Sequence, residues 1–185
     1  MSMRSLAAAA VVALVAAGCG SAHPLAPTVS NATKPVVRKI APPSPYVHER
    51  VLGALTSAVQ DPSSAPYGAG ALLAGGLTPA DVSTAAIDEV TSQGERSVGS
   101  LPLAVHDAAA VRLGGSVYLF GGGDGSAQHD TILRIAPGSP TAVGHLPAPS
   151  SDHSAAAIGA TAYIVGGYTG TIWPNTFVDW LPCQG

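Results

Sequence analysis

Charged side chains are scarce in this chain of 185 residues, making up 10% of the sequence instead of the usual quarter. Lys and Arg together number 8 against 11 Asp and Glu, so the chain lacks the basic surplus that nucleic-acid binding requires. The mean hydropathy is positive, at +0.32, and the net charge is only −3, which excludes disorder throughout the chain. The length allows one hydrophobic core and excludes a large multidomain enzyme.

Glycine and proline, in contrast, are abundant, with 22 and 16 copies. Both residues interrupt helices and occupy turns, so this composition is typical of many short strands joined by turns. The sequence therefore predicts an all-β body.

The N-terminus has the order of a secretory signal. Arg4 precedes an apolar run at 6–17, and small residues lead directly to Cys19. The run is too short to span a bilayer but has the length of a signal-peptide core. The order resembles a bacterial lipobox, although Ala16 stands where leucine is favoured. The resemblance implies removal of a signal peptide at 1–18 and a lipid on Cys19, which would be the membrane partner. The alternative is ordinary cleavage near Ala17, leaving Cys19 a free thiol.

Residues 19–45 follow as a proline-rich segment, with six prolines among small and polar residues. Proline cannot donate to a strand ladder, so the segment predicts an extended spacer. With Cys19 lipidated, the protein is expected on the extracytoplasmic face of a bacterial cell membrane.

A repeat of about 45 residues organises 46–185, with units at about 50–96, 97–142 and 143–185. Glycine doublets close an apolar run in every unit and are 46 and 45 residues apart. The doublets are Gly75-Gly76, Gly121-Gly122 and Gly166-Gly167. The same register aligns three leucines, three aspartates and three aliphatic residues: Leu55, Leu101 and Leu146; Asp61, Asp107 and Asp152; Ile87, Leu133 and Val178.

These features resemble the kelch repeat, which has a glycine doublet after an apolar strand and a Leu-Pro pair upstream. The resemblance covers about 55–181, although the tryptophan that kelch units often carry before the next Leu-Pro is missing. It implies an all-β fold of about three four-stranded β-propeller blades. The doublet glycines let the backbone take positive φ and approach a neighbouring blade closely.

Three blades form an incomplete ring, because propellers close with about 4 to 8. The last unit also ends early, which leaves no outer strand for it. The chain is either a fragment of a longer propeller, half of a homodimer that closes a six-bladed ring, or completed by another partner. Cys183 fits these alternatives as a free or intermolecular thiol.

Candidate catalytic motifs are weak. His106-Asp107 and Asp152-His153 recur at nearly the same place in consecutive repeats, so we interpret the aspartates as turn residues. The histidines lack zinc-site spacing, and the glycine-rich stretch at 121–125 lacks a phosphate-binding lysine. The copper-radical kelch enzymes need a Tyr-Cys crosslink that these cysteines do not offer. We therefore expect no catalysis, no metal and no cofactor.

Binding is expected on the loops that follow the glycine doublets. Asp124, His129, Tyr168 and Trp173 are the candidate contact residues, with Trp180 either a contact or a core residue. The ligand would be a protein or a glycan. Two alternatives stay open: a fragment of a carbohydrate-active kelch enzyme, galactose oxidase-like or sialidase-like, and a structural subunit of an envelope complex.

Overall fold

A computed structural model describes residues 23–24 by their backbone, together with 49–135 and 139–182. Within these ranges every regular element is a β-strand, which confirms the expected all-β body, and no helix there could cross a membrane. Cys19, Cys183, the signal segment and most of the spacer lie outside the described residues.

Twelve strands are described. They are β1 (His23–Pro24), β2 (Ser63–Tyr67), β3 (Gly70–Ala74), β4 (Ala86–Thr91), β5 (Gly94–Ser100), β6 (Ala109–Leu113), β7 (Ser116–Phe120), β8 (Thr131–Ile135), β9 (Thr141–His145), β10 (Ser151–Ile158), β11 (Thr161–Tyr168) and β12 (Phe177–Trp180).

The strands form three antiparallel sheets. The first sheet contains β2 to β5 and the second contains β6 to β9, each as four consecutive strands. The third sheet contains β10, β11 and β12 in chain order. The predicted repeat units begin upstream of these sheets, so β5 crosses the boundary that the sequence places between residues 96 and 97.

The third sheet receives an outer strand that the sequence did not predict. In β1, His23 pairs with Asp179 and Pro24 pairs with Val178, antiparallel to β12. The expectation that this repeat lacks an outer strand was wrong, because two residues of the segment at 19–45 supply one. The physical reason is that a proline is tolerated on an edge strand, where no neighbour needs its missing N–H.

The strand pairing also corrects one set of residues that the sequence analysis aligned between repeats. Ala74 pairs with Ile87 in the first sheet, and Phe120 pairs with Ile132 in the second. Ile132, rather than Leu133, is therefore the counterpart of Ile87. Phe120 follows Ala74 by 46 residues, whereas Ile132 follows Ile87 by 45. The spacing differs because the loop between the two paired strands is one residue longer in the first sheet.

Two hydrophobic cores separate the three sheets. Along β7, Val117 and Leu119 belong to the core shared with the first sheet. Tyr118 and Phe120, which point the other way because side chains alternate along a strand, belong to the core shared with the third sheet. The second sheet is therefore covered on both faces.

Candidate functional site

The loops that the sequence analysis expects to bind lie at one end of the three sheets, which we call the loop end. There the first strand of a sheet begins beside the end of its second strand, as Ser63 pairs with Ala74 in the first sheet. The opposite end carries tight hairpin turns. The loop end contains the loops between second and third strands and the connections between sheets: 75–85, 121–130 and 169–176, with 101–108 and 146–150.

The first two glycine doublets join their sheets to the segment that enters the next sheet. Gly76 donates its N–H to the carbonyl of Val105 at 2.8 Å, and Gly122 donates to that of Ser150 at 2.9 Å. A Cβ on Gly121 would lie 2.4 Å from the Ser150 carbonyl oxygen, where no side chain fits. The doublets thus let the backbones of successive sheets approach each other.

The three repeated aspartates lie where the first strands begin: Asp61 and Asp107 just before β2 and β6, and Asp152 as the second residue of β10. Asp61, Asp107 and Asp152 all have positive φ, between 51° and 57°, a conformation that aspartate tolerates better than most residues. Asp107 donates its N–H to the Asp61 carbonyl at 3.4 Å, and Asp152 donates to that of Asp107 at 2.8 Å. The backbones of the three aspartates thus link the three sheets, a role that the sequence analysis did not predict.

Burial and neighbouring charges both change the pKa of the Asp107 carboxyl. Burial raises the pKa of the Asp107 carboxyl, and the charges of Asp152 and Asp61 raise it further, while His106 opposes them. Within 49–135 and 139–182, no group of three or more His, Cys, Asp and Glu side chains is arranged to hold a metal ion.

His106 has a partner that the sequence did not reveal. Its Nδ1 lies 2.8 Å from the Ser83 hydroxyl, in the loop of the first sheet. Its Nε2 is 3.7 Å from the Asp107 carboxylate, beyond hydrogen-bonding distance. A serine nucleophile needs a histidine that a third group orients firmly, and this carboxylate does not do so.

His153 is buried in the interface of the second and third sheets. Its Nε2 donates to the Phe120 carbonyl at 2.9 Å, and its Nδ1 faces the Ser150 hydroxyl at 3.4 Å. Burial lowers the pKa of this histidine, although the hydrogen bonds and the Asp152 charge act in the opposite direction. The neutral imidazole therefore serves as a packing and hydrogen-bonding element.

This burial makes stability depend on pH. The unfolded chain protonates His153 near its ordinary pKa of about 6.5, and the folded chain only at lower pH, so stability falls as the pH drops below about 6.5. We expect His153→Gln to flatten this fall between pH 7 and 5.5, measured by urea unfolding. The exposed Ser154, next along β10, supplies the control: Ser154→Gln should keep the wild-type pH dependence, and an equal flattening in both variants would contradict the assignment.

The predicted contact residues of the second sheet form a preorganised polar loop. The Asp124 carboxylate accepts hydrogen bonds from the Ser126 N–H and hydroxyl at 2.8 and 2.7 Å, and from the Ala127 N–H at 2.9 Å. Its other oxygen lies 3.0 Å from His129 Nε2. The bonds from Ser126, then Ala127 and His129, hold the pKa of Asp124 well below its usual range. This loop keeps a fixed negative charge at the surface.

The predicted aromatics of the third sheet form a stacked pair. The rings of Tyr168 and Trp173 are 4.8 Å apart and tilted by 34°, and the Tyr168 hydroxyl donates to the Gly170 carbonyl at 2.7 Å. Trp173 is 69% exposed. A Cβ on Gly170 would lie 2.6 Å from Gln128 Oε1, so this loop adjoins the polar loop of the second sheet.

The structure thus brings the candidate contact residues to one end of the molecule, and the loops that carry them touch. Trp180 is not part of this surface, because it is buried in the core of the second and third sheets. Sequence reasoning missed Ser83 and Gln128, since neither residue recurs at the same position in the other repeats.

Comparisons with known proteins show the fold alone. No family model matches the sequence, and no curated protein does so. The structure is similar to solved protein chains. One of them, reported as "Structure of YjhT", has a TM-score of 0.56 and 15% sequence identity, covering 68% of this chain and 42% of that one. The chain therefore spans less than half of that neighbour's length.

Proposed function

We propose that this protein is a lipid-anchored kelch-type propeller chain whose loop end binds a carbohydrate and catalyses no reaction. The packing of neighbouring sheets through two separate cores supports the propeller arrangement. So do the contacts of β6 with β2 on one side and with β10 on the other, because the first strands of propeller blades line a common axis.

The exposed aromatic pair carries the binding proposal. Tyr168 and Trp173 present apolar ring surface at the loop end, beside Gln128 and the Asp124–His129 pair. A large exposed aromatic next to a few fixed polar groups is typical of a ligand site rather than of an unused surface.

A carbohydrate fits this surface better than a protein does. A sugar ring offers C–H groups that stack on an aromatic face and hydroxyls that hydrogen-bond at its edge. Asp124 Oδ2, which faces His129 and accepts none of the three bonds from Ser126 and Ala127, supplies an acceptor, and Gln128 supplies both donors and an acceptor. Because Ser126 and Ala127 already hold Asp124 in place, little side-chain entropy would be lost on binding.

The absence of catalysis is proposed from the site's geometry. The Ser83–His106 pair lacks a hydrogen bond from His106 to the Asp107 carboxylate, which stands 3.7 Å away. The Asp124 carboxylate is occupied by the hydrogen bonds of its own loop, which stabilise its charged form and suit it to accept hydrogen bonds rather than to transfer protons.

The proposed anchor lies close to the folded part. Cys19 precedes β1 by four residues, which span at most about 14 Å when fully extended. A lipid on Cys19 would hold the third sheet near the bilayer, because β1 belongs to that sheet.

We expect Cys19→Ala to move the protein from the membrane fraction to the soluble or unprocessed fraction, because the acyl chains supply most of the membrane affinity. Fractionation of cells expressing each form measures the effect. Cys183→Ala is the matched control and should stay with the membrane. A Cys19→Ala protein that still fractionates with lipid would contradict the anchor.

We expect Trp173→Ala to weaken carbohydrate binding about two- to tenfold, since an aromatic contact contributes about 0.5–1.5 kcal/mol beyond its area. Isothermal titration calorimetry against a panel of neutral and acidic oligosaccharides measures it. Ile172→Ala, at the exposed neighbouring position, should bind like wild type.

Two outcomes of the same titrations would overturn the proposal. Absence of binding by wild type to every sugar of the panel would contradict the carbohydrate class. Release of a modified sugar during prolonged incubation, followed by mass spectrometry, would contradict the absence of catalysis.

A further inference from the structure

The face of the third sheet that points away from the second sheet is largely apolar, with Asp179 of β12 beside its apolar side chains. Strand alternation places five apolar side chains on it, because their neighbours along each strand belong to the core on the opposite face. They are Ala156, Ile158, Tyr163, Val165 and Phe177. Ile158, Val165 and Phe177 are 68%, 54% and 40% exposed. Scattered apolar side chains on a surface are ordinary, but a contiguous set on one sheet face marks an interaction surface.

The same five positions are already an interface one repeat earlier. Their counterparts 45 residues upstream are Val111, Leu113, Tyr118, Phe120 and Ile132, all buried in the core against the third sheet. At these five positions the third sheet therefore has the same kind of surface that the second sheet uses to pack against the third. This correspondence indicates that the missing cover is another sheet of the same kind.

The glycine doublets give a second, independent sign of a missing sheet. A Cβ on Gly75 would meet the Val105 carbonyl oxygen at 2.3 Å, and one on Gly121 would meet that of Ser150 at 2.4 Å. Both carbonyls belong to segments that enter the next sheet. The equivalent Gly166 keeps positive φ, at 72°, but faces nothing within 4 Å. Gly166 therefore lacks the close contact with a neighbouring backbone carbonyl that Gly75 and Gly121 make.

The outer face of the first sheet offers a matching cleft. Here residues 51–55 and the strands β3 and β4 enclose a groove of about 510 Å³, lined by Val51, Leu52, Ala71 and Val90 among others. Val90 is the counterpart, two repeats upstream, of Trp180, whose ring lies 4.8 Å from that of Tyr118. Trp180 fills the space between the second and third sheets, and the smaller Val90 leaves the equivalent space on the first sheet open.

We propose that a second copy of this chain occupies both faces. The third sheet of one copy packs on the first sheet of the other, and the reciprocal contact closes a six-sheet ring with two-fold symmetry. Six sheets lie within the range in which propellers close, and symmetric dimers are the commonest assemblies. The inference rests on the proposed propeller arrangement and is independent of carbohydrate binding.

The first test is the mass of the mature lipidated protein in detergent, measured by sedimentation with the detergent contribution subtracted, in the presence of reductant. Wild type should be a dimer. Val165→Arg should raise the dimer dissociation constant at least about a hundredfold, because it places a long charged side chain where an apolar one packs. Ile172→Arg, at an exposed position on the loop end, should remain dimeric.

A second measurement fixes which faces meet. With Cys183→Ser in the background, a short bismaleimide should join Val90→Cys on one copy to Val165→Cys on the other when the two variants are mixed. A monomeric wild type would overturn the proposal and direct the search to further sheets from a longer protein. A dimer that survives Val165→Arg, or that crosslinks only between like variants, would overturn it as well. Loss of dimer without loss of sugar binding would leave the binding proposal standing.

Discussion

Replacing Trp180 with alanine should lower the free energy of unfolding by about 3–5 kcal/mol, the usual loss for a large buried aromatic. Trp180 is 1% exposed and lies between two aromatic rings, 4.8 Å from Tyr118 and 5.7 Å from Phe120. The alanine variant would leave a cavity between the second and third sheets, where the surrounding strands cannot collapse without losing their pairing. Denaturant unfolding followed by circular dichroism measures the effect.

Trp173→Ala provides the matched control for this experiment. The two tryptophans are only seven residues apart, but Trp173 is largely exposed, so its removal should change stability by less than about 1 kcal/mol. Equal losses in the two variants would contradict the division of roles, in which one tryptophan packs the core and the other lies at the binding surface.

The roles of these two residues show what the sequence can and cannot predict. A tryptophan in a repeat is compatible with both packing and binding, and residue type alone does not separate them. The register of β12 decides the matter, because Trp180 pairs with Ala162 and points to the second sheet. Trp173 lies in the preceding loop, outside any strand.

Features repeated along the chain were the most predictable. The glycine doublets mark the same place in every sheet, and the three repeated aspartates share one backbone conformation. Repeats stack on one another as equivalent units, so the same residue types recur at the same positions. Features that depend on one loop or one long-range contact were not predictable. The Ser83–His106 contact joins residues 23 apart in loops of different sheets, and no periodic pattern records it.

The pairing of β1 was missed for a related reason. A proline-rich segment at 19–45 has little strand propensity, and only two of its residues, His23 and Pro24, are described in the sheet. Their partners lie more than 150 residues further along the chain. Composition predicts the average behaviour of a segment, whereas this strand depends on an available edge of β12 that only the folded structure supplies.

Alanine at Gly121 should cost at least about 3 kcal/mol of stability, against about 1–2 kcal/mol at Gly166. Both glycines have positive φ, at 55° and 72°, so each substitution incurs the strain of a left-handed alanine. Only at Gly121 does the added Cβ also meet backbone, 2.4 Å from the Ser150 carbonyl oxygen, which forces the second and third sheets apart.

The comparison is sharpest in the Val165→Arg background, where the chain is expected to be monomeric. There Gly166 has no neighbouring sheet, so the difference between the two alanine variants isolates the contact that Gly121 makes with the next sheet. Equal losses, measured by urea unfolding, would show that strain alone accounts for both substitutions. In the wild-type background Gly166→Ala should also raise the dimer dissociation constant, because a second copy would bring a backbone carbonyl to the position that Ser150 occupies beside Gly121.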